Sequence, residues 1–157
     1  MSSEFTMRRI SPDVYDRMMG GEPPFPYRYV AESGQIAKRW ETLAFVLANG
    51  DRAVPGPAVA IIGGQRLPGG RSVDQDFGGT RLFSSVQVAE VAEMLAQLSD
   101  EEYRRRFENL DFTGVHGTES DGGPALGVDV LLRDLHHLRA FYGAAAQAGD
   151  AMMVCLD

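Results

Sequence analysis

The order of apolar and polar positions divides the chain into short strand candidates, striped helices and two glycine-rich irregular stretches. From Glu4 to Ile10 polar and apolar residues take turns, which suits a short strand. Ser11-Pro12-Asp13 then supplies an N-cap, a proline for the first helical position and an acid near the positive helix end. The helix behind it is predicted to stop at Gly20-Gly21. Pro23, Pro24 and Pro26 make the next segment extended, with Phe25, Tyr27 and Tyr29 interleaved. A second helix is predicted to start at Ser33 or Gly34. Its Ile36, Trp40, Leu43 and Leu47 recur at i, i+4, i+7 and i+11 and so form one buried stripe. Phe45 points to roughly the opposite side, where another element is expected to cover it. Asn49-Gly50-Asp51 ends the helix.

The stretch from Ala58 to Phe83 is the one around which these elements are arranged. Val59 to Ile62 is a continuous apolar, largely β-branched run and is predicted as a central strand. A long glycine-rich excursion follows, and Arg81-Leu82-Phe83 returns as a second strand. Ser84 or Ser85 then caps a third helix with Val88, Val91, Ala92 and Leu95 on its apolar face and Glu90, Glu93 and Gln97 toward water. Ser99 with Glu102 reads as a capping box for a fourth helix, which Tyr103 and Phe107 anchor from one turn to the next. Asn109 to Gly127 is the second irregular stretch. A last helix runs from about Val128 to Ala148 with Val128, Leu131, Leu135, Leu138 and Tyr142 toward the core, and Gly149-Asp150 turns into a final strand, Ala151 to Leu156. Strands and helices without strict βαβ alternation predict an α+β fold. The expectation is a single compact domain over residues 1–157, a small, mainly antiparallel or mixed sheet against about five helices.

Length and composition add limits to this picture. A chain of 157 residues can bury a real core, and 44% apolar with 24% charged residues is ordinary for a globular protein. The net charge of −7 argues against nucleic acid, which calls for a basic face to displace phosphate counterions. The compact basic run Arg104-Arg105-Arg106 sits among Glu101, Glu102 and Glu108 and reads as a solvated helix face. Cys155 is the single cysteine, so no intrachain disulfide forms. No apolar stretch approaches membrane-spanning length, and the N-terminal MSSEFTMRRI lacks a signal-peptide core, so a cytoplasmic location without membrane contact is expected.

Candidate chemistry changes the picture little. Gly64-x-x-x-x-Gly69 resembles a phosphate loop, but Gly70 stands where the lysine belongs and Pro68 removes an N–H donor. Asp74-x-Asp76 before Gly78 resembles the start of a calcium loop, yet Gly78 falls where an oxygen ligand is expected and Ser85 where a bidentate glutamate is needed. His116, Glu119 and Asp121 share one loop and have the chemistry of a divalent-metal or acid–base cluster, but their spacing selects no geometry. His136 and His137 point about 100° apart on the last helix and read as surface histidines. No cofactor, metal or strong catalytic signature is indicated.

Several of these pieces, taken in order, resemble one family. Arg9-Ile10-Ser11-Pro12 precedes a short helix; Lys38-x-Trp40-x-x-Leu43-x-Phe45-x-Leu47 ends near Gly50. Ile61-Ile62-Gly63-Gly64 leads to Asp76-x-Gly78 and Arg81-Leu82 before a Val88-Ala89-Glu90-Val91 helix. Leu138-Arg139-Ala140-Phe141-Tyr142 and Gly149-Asp150-Ala151 close the pattern. Over nearly its entire length the chain resembles the YfbM-like family of bacterial proteins, whose function is unknown. The resemblance implies a compact α+β domain and supplies no activity. Relatives tend to carry histidines where this chain has Glu41 and Ala44, and a longer loop where it has Gly78-Gly79-Thr80-Arg81, which weakens an enzymatic reading.

The sequence therefore predicts a non-catalytic module that binds a protein partner with a basic surface, as an adaptor or toxin-neutralising protein would. Its acidic excess lies after Asp74, in Asp100, Glu101, Glu102, Glu108, Asp111, Glu119 and Asp121. The alternative is a small-molecule site or an enzyme between the Gly63–Arg81 and His116–Asp121 loops, with Arg81 holding an anionic group and Asp76 or His116 handling protons. The candidate binding residues are Asp76, Arg81, His116, Glu119, Asp121 and Trp40.

Overall fold

The structure is a computed structural model and describes residues 5–22, 30–32, 39–51, 53–67, 80–113, 115 and 127–156. Its strands are β1 (Phe5–Ile10), β2 (Ala31–Glu32), β3 (Gln65–Arg66), β4 (Thr80–Phe83) and β5 (Ala151–Leu156). They form one five-stranded sheet in the order β2-β1-β5-β4-β3. Every neighbouring pair is antiparallel. The chain's last strand is thus the central one, with Met7 opposite Val154 on one side and Arg81 opposite Val154 on the other.

Strand alternation sorts the side chains between two faces. Phe5, Met7, Phe83, Met152 and Val154 enter the larger core beneath the helices. Ile10, Leu82, Ala151 and Met153 enter a smaller one. Helix α1 (Pro12–Met19) covers the smaller face with the buried Met18. Its start is built as predicted: the Val14 N–H donates to the Ser11 hydroxyl at 3.1 Å, and Pro12 occupies the first turn.

The larger face carries α2 (Trp40–Leu47), α4 (Ser85–Gln97) and α6 (Val128–Ala148), with α5 (Asp100–Asn109) packed against α2 and α6. On α6, Leu131, Leu135, Leu138 and Tyr142 are fully buried, following the predicted stripe. Burial of each such leucine is worth roughly 1.5–3 kcal/mol relative to exposure. Phe45 finds its cover in Phe112, 5.4 Å between ring centroids, and Phe112 in turn meets Phe107 at 5.3 Å. The start of the second helix, and Ile36 on its stripe, lie outside the described residues, as do the proline–aromatic segment 23–29 and most of both glycine-rich stretches.

Two expectations are corrected. Val59–Ile62 is not a strand but a four-residue helix, α3, entered through a 3-10 turn at Gly56–Ala58. Pro55, Gly56 and Pro57 decide this. Gly56 takes φ 51, Pro57 fixes a helical φ and removes a ladder donor, and the Ala58 N–H closes back on the Pro55 carbonyl at 3.0 Å. An apolar run of this length carries no periodicity that separates a strand from a buried helical turn. Ser99 does cap α5, accepting from the Glu102 N–H at 3.1 Å, but the reciprocal half of the capping box is replaced. The Glu102 carboxylate binds Arg105 at 2.7 Å and Arg106 at 2.9 Å instead, since a guanidinium offers it a charge-assisted bond that a backbone N–H does not match. The complete capping box is at α4, where the Ser84 and Gln87 side chains and backbones bond reciprocally.

Candidate functional site

The predicted excursion leaves the core at the C-terminal end of α3. There Gly63 ends the helix with its N–H on the Val59 carbonyl at 2.9 Å, and Gly64 takes φ 102, in the left-handed region that favours glycine. A side chain at Gly64 would also crowd its neighbours: a Cβ would lie 3.0 Å from the Arg81 Cβ and 3.1 Å from the Phe83 ring. β3 then begins, placing Gln65 opposite Leu82 and Arg66 opposite Arg81. Gln65 ties the smaller face together: its amide donates to the Tyr15 hydroxyl at 2.6 Å and to the Gln87 carbonyl oxygen at 2.7 Å.

Arg81 shares its sheet face with Phe83, so its side chain enters the larger core and is only 7% exposed. Nη2 donates to the Ile61 carbonyl at 2.7 Å, and Nε is buried without a partner. Next to this bond the Tyr142 hydroxyl donates to the Ala60 carbonyl at 2.7 Å, its ring edge-on to Phe83 at 5.9 Å. Two consecutive carbonyls at the end of α3, orphaned by the shortness of that helix, are therefore held by side chains from β4 and α6. Burial disfavours the charged form of Arg81, and Arg66 across the strand pair adds to it. Arg81 nonetheless stays protonated, as arginine does throughout the accessible pH range.

The other half-buried arginines set this in relief. Arg9 reaches Asp150 at 2.8 Å, Arg39 reaches Asp134 at 2.7 Å, Arg106 reaches Glu102 at 2.9 Å and Arg139 reaches Asp100 at 3.3 Å. Arg8 is paired with Glu32. Arg81, more buried than any of them, has no carboxylate partner among the described residues.

Of the remaining predicted site residues, Trp40 is 6% exposed in the larger core at the start of α2. Asp76, His116, Glu119 and Asp121 lie outside the described residues. Among the described residues, no group of three or more His, Cys, Asp or Glu is placed to hold a metal ion. His136 contacts Asp100 at 2.7 Å on the surface. Cys155 is half-buried, with Arg8 Nη1 and Thr80 Oγ1 each 3.5 Å from its sulfur.

A second feature was not legible in the sequence. Ser85, Val86, Ala89, Glu90 and Glu93 of α4 line a shallow concavity of about 630 Å³ that ends at Gly149. Val86 is 67% exposed there. The only signal in the sequence is compositional: α4 carries two glutamates and no lysine or arginine in 13 residues. Elsewhere the acidic excess is partly neutralised, since Asp100, Glu102, Asp129, Asp134 and Asp150 are all bound to arginines.

The antiparallel sheet with helices on its faces defines an α+β class by its architecture. The chain belongs to the family of the domain of unknown function DUF1877, whose model matches residues 4–155. Among solved structures it is similar to the protein of unknown function YfbM from Escherichia coli, with a TM-score of 0.66 and 19% identity over 100% of both chains. At that identity the likeness is one of fold. No curated protein matches the chain in sequence. Among the described residues no helix is long and apolar enough to cross a membrane.

Proposed function

We propose that this protein is a non-catalytic, single-domain cytoplasmic binding module that recognises a protein partner with a basic surface. The observation that carries this reading is the outer face of α4. Val86 is 67% exposed beside Ala89, and Glu90 and Glu93 flank it with no cation on the same helix. An apolar floor with an uncompensated acidic rim suits a partner that brings an apolar anchor and lysines or arginines, whose attraction speeds encounter and fixes orientation. The test is affinity capture from cell extract with the wild-type chain and with E90K/E93K as baits. A partner held by the first and released by the second supports the reading. Equal retention by both baits, or no partner together with a monodisperse monomer in light scattering, overturns it.

A second reading, a small-molecule site beside the Gly63–Arg81 stretch, is supported by one observation: the buried guanidinium of Arg81 lacks a carboxylate partner among the described residues. A ligand thermal-shift panel tests it; the absence of any stabilising compound counts against it.

A further inference from the structure

An ionised group taken out of water costs several kcal/mol unless it is paired. Among the described residues the half-buried arginines follow that rule and the most buried one breaks it. Arg81 has, among the described residues, a single bond, to the Ile61 carbonyl at 2.7 Å, and a buried Nε without a partner. A backbone carbonyl at the end of a four-residue helix brings only a fraction of a negative charge. The residue opposite Arg81 makes matters worse, because Arg66 is a second cation in direct cross-strand register. Like charges facing each other across an antiparallel pair are destabilising. The pair leads from the core to solvent, since Arg66 is exposed on the edge strand β3 while Arg81 is buried behind it. Exposed Gly64 approaches Arg81 and Phe83 closely: a Cβ there would lie 3.0 Å from the Arg81 Cβ and 3.1 Å from the Phe83 ring.

We propose that Arg81, with Arg66 across the strand pair, forms a binding site for a small oxyanion, the carboxylate or phosphate group of a small molecule. This inference rests on the small-molecule reading and names the chemistry of its ligand. A planar guanidinium has unused N–H donors beyond Nη2 and matches two oxygens at once, which is the arrangement that carboxylate and phosphate groups favour. Arg66 supplies the second charge from the solvent side. The bound anion replaces an uncompensated cation pair with a compensated cluster, so it stabilises the fold as well as occupying the site. No phosphate loop is needed, and no magnesium or nucleotide base has a place in the proposal.

The experiment is thermal melting of the full chain in inorganic phosphate, in sodium succinate and in sodium chloride at matched ionic strength. Phosphate or succinate, at roughly ten times its dissociation constant, is expected to raise the melting temperature by about 3–5 °C over chloride. A response to phosphate alone assigns the site to phosphate groups, and a response to succinate alone assigns it to carboxylates. R81M removes the response and is expected to melt close to the wild-type temperature in chloride, because relief of the unpaired charge is offset by the Ile61 carbonyl it leaves without a donor. R66A removes the cross-strand repulsion, so it is expected to melt at or slightly above the wild-type temperature in chloride, and it weakens the anion response several-fold. In nitrogen-15 spectra the Arg81 Nε–H resonance moves on phosphate or succinate addition. Equal melts in all three salts, or an anion effect that survives both R81M and R66A, overturn the proposal. Stabilisation by an uncharged compound of the panel that persists in R81M, without any anion effect, sinks the oxyanion site and leaves the small-molecule reading standing. No stabilisation by any compound or anion sinks both.

Discussion

The hydroxyl of Tyr142 donates to the carbonyl of Ala60 across 2.7 Å, joining the middle of the longest helix to a helical turn 82 residues earlier. Tyr103 offers a contrast from the same core: its hydroxyl is equally buried but has no hydrogen-bond partner among the described residues. Burial pushes both phenols well above the usual tyrosine range, so neither ionises near neutral pH. The two tyrosines therefore predict opposite outcomes for the same substitution. Y142F strands the buried Ala60 carbonyl and is expected to cost about 1–2 kcal/mol in urea unfolding, whereas Y103F removes an unsatisfied hydroxyl and is expected to be neutral or stabilising. Equal losses in the two variants would show that the bond to Ala60 adds nothing.

Arg39 and Asp134 join the start of α2 to the middle of α6 through paired bonds of 2.7 and 3.1 Å. The Asp134 side chain is 12% exposed and that of Arg39 28%, so the pair sits between a surface bridge and a buried one. D134A leaves the guanidinium without its partner and is expected to destabilise by about 1–3 kcal/mol, a discount on the fully buried case. R39M/D134L is expected to recover most of that loss. A double-mutant cycle measured by urea unfolding checks the coupling, and a D134A loss within about 0.5 kcal/mol would remove the pair from the structural account.

Gly149 closes α6 with φ 74, its N–H on the Ala146 carbonyl at 3.2 Å. A Cβ there would meet nothing within 4 Å, so the requirement for glycine is conformational and not steric crowding. G149A is expected to cost about 1 kcal/mol, read as a lower urea midpoint at an unchanged slope. A changed slope would point instead to a rearranged turn into β5.

Acid stability follows from the carboxylates of α5. Hydrogen bonds from Arg105 and then Arg106 hold Glu102 down to about 2, and contact with His136, then Arg139, holds Asp100 below its ordinary value. A carboxylate whose folded value is depressed binds more protons when unfolded. Its contribution is therefore complete above the unfolded value and is lost as pH falls through the folded one. For Glu102 that window runs from 4.5 down to about 2. The urea midpoints of wild type and E102Q are expected to differ at pH 7 and to converge across this window. Midpoints that stay parallel down to pH 2 would show that the arginine bonds of Glu102 do not contribute to stability in solution.

The sequence by itself determined the local elements whose cause is local. Ser11-Pro12, Ser99 as an N-cap and Gly149 carry the capping chemistry of their helices, whereas the reciprocal box of Ser84 with Gln87 was found only in the fold. Leu131, Leu135, Leu138 and Tyr142 declare the buried stripe of α6, because a helical period is written in neighbouring residues. The family pattern was legible for a similar reason, since it consists of ordered short segments. Val59–Ile62 was not legible as a helix, as four apolar residues fit either geometry and the deciding prolines act through the turn before them. Tertiary structure alone placed β5 in the middle of the sheet, a pairing between the two ends of the chain that no local spacing encodes. It alone set Arg66 opposite Arg81 and removed every carboxylate of the described residues from that buried guanidinium. Arginine looks the same in a sequence whether its charge is answered or not; only the folded neighbours decide, and they make Arg81 the candidate site.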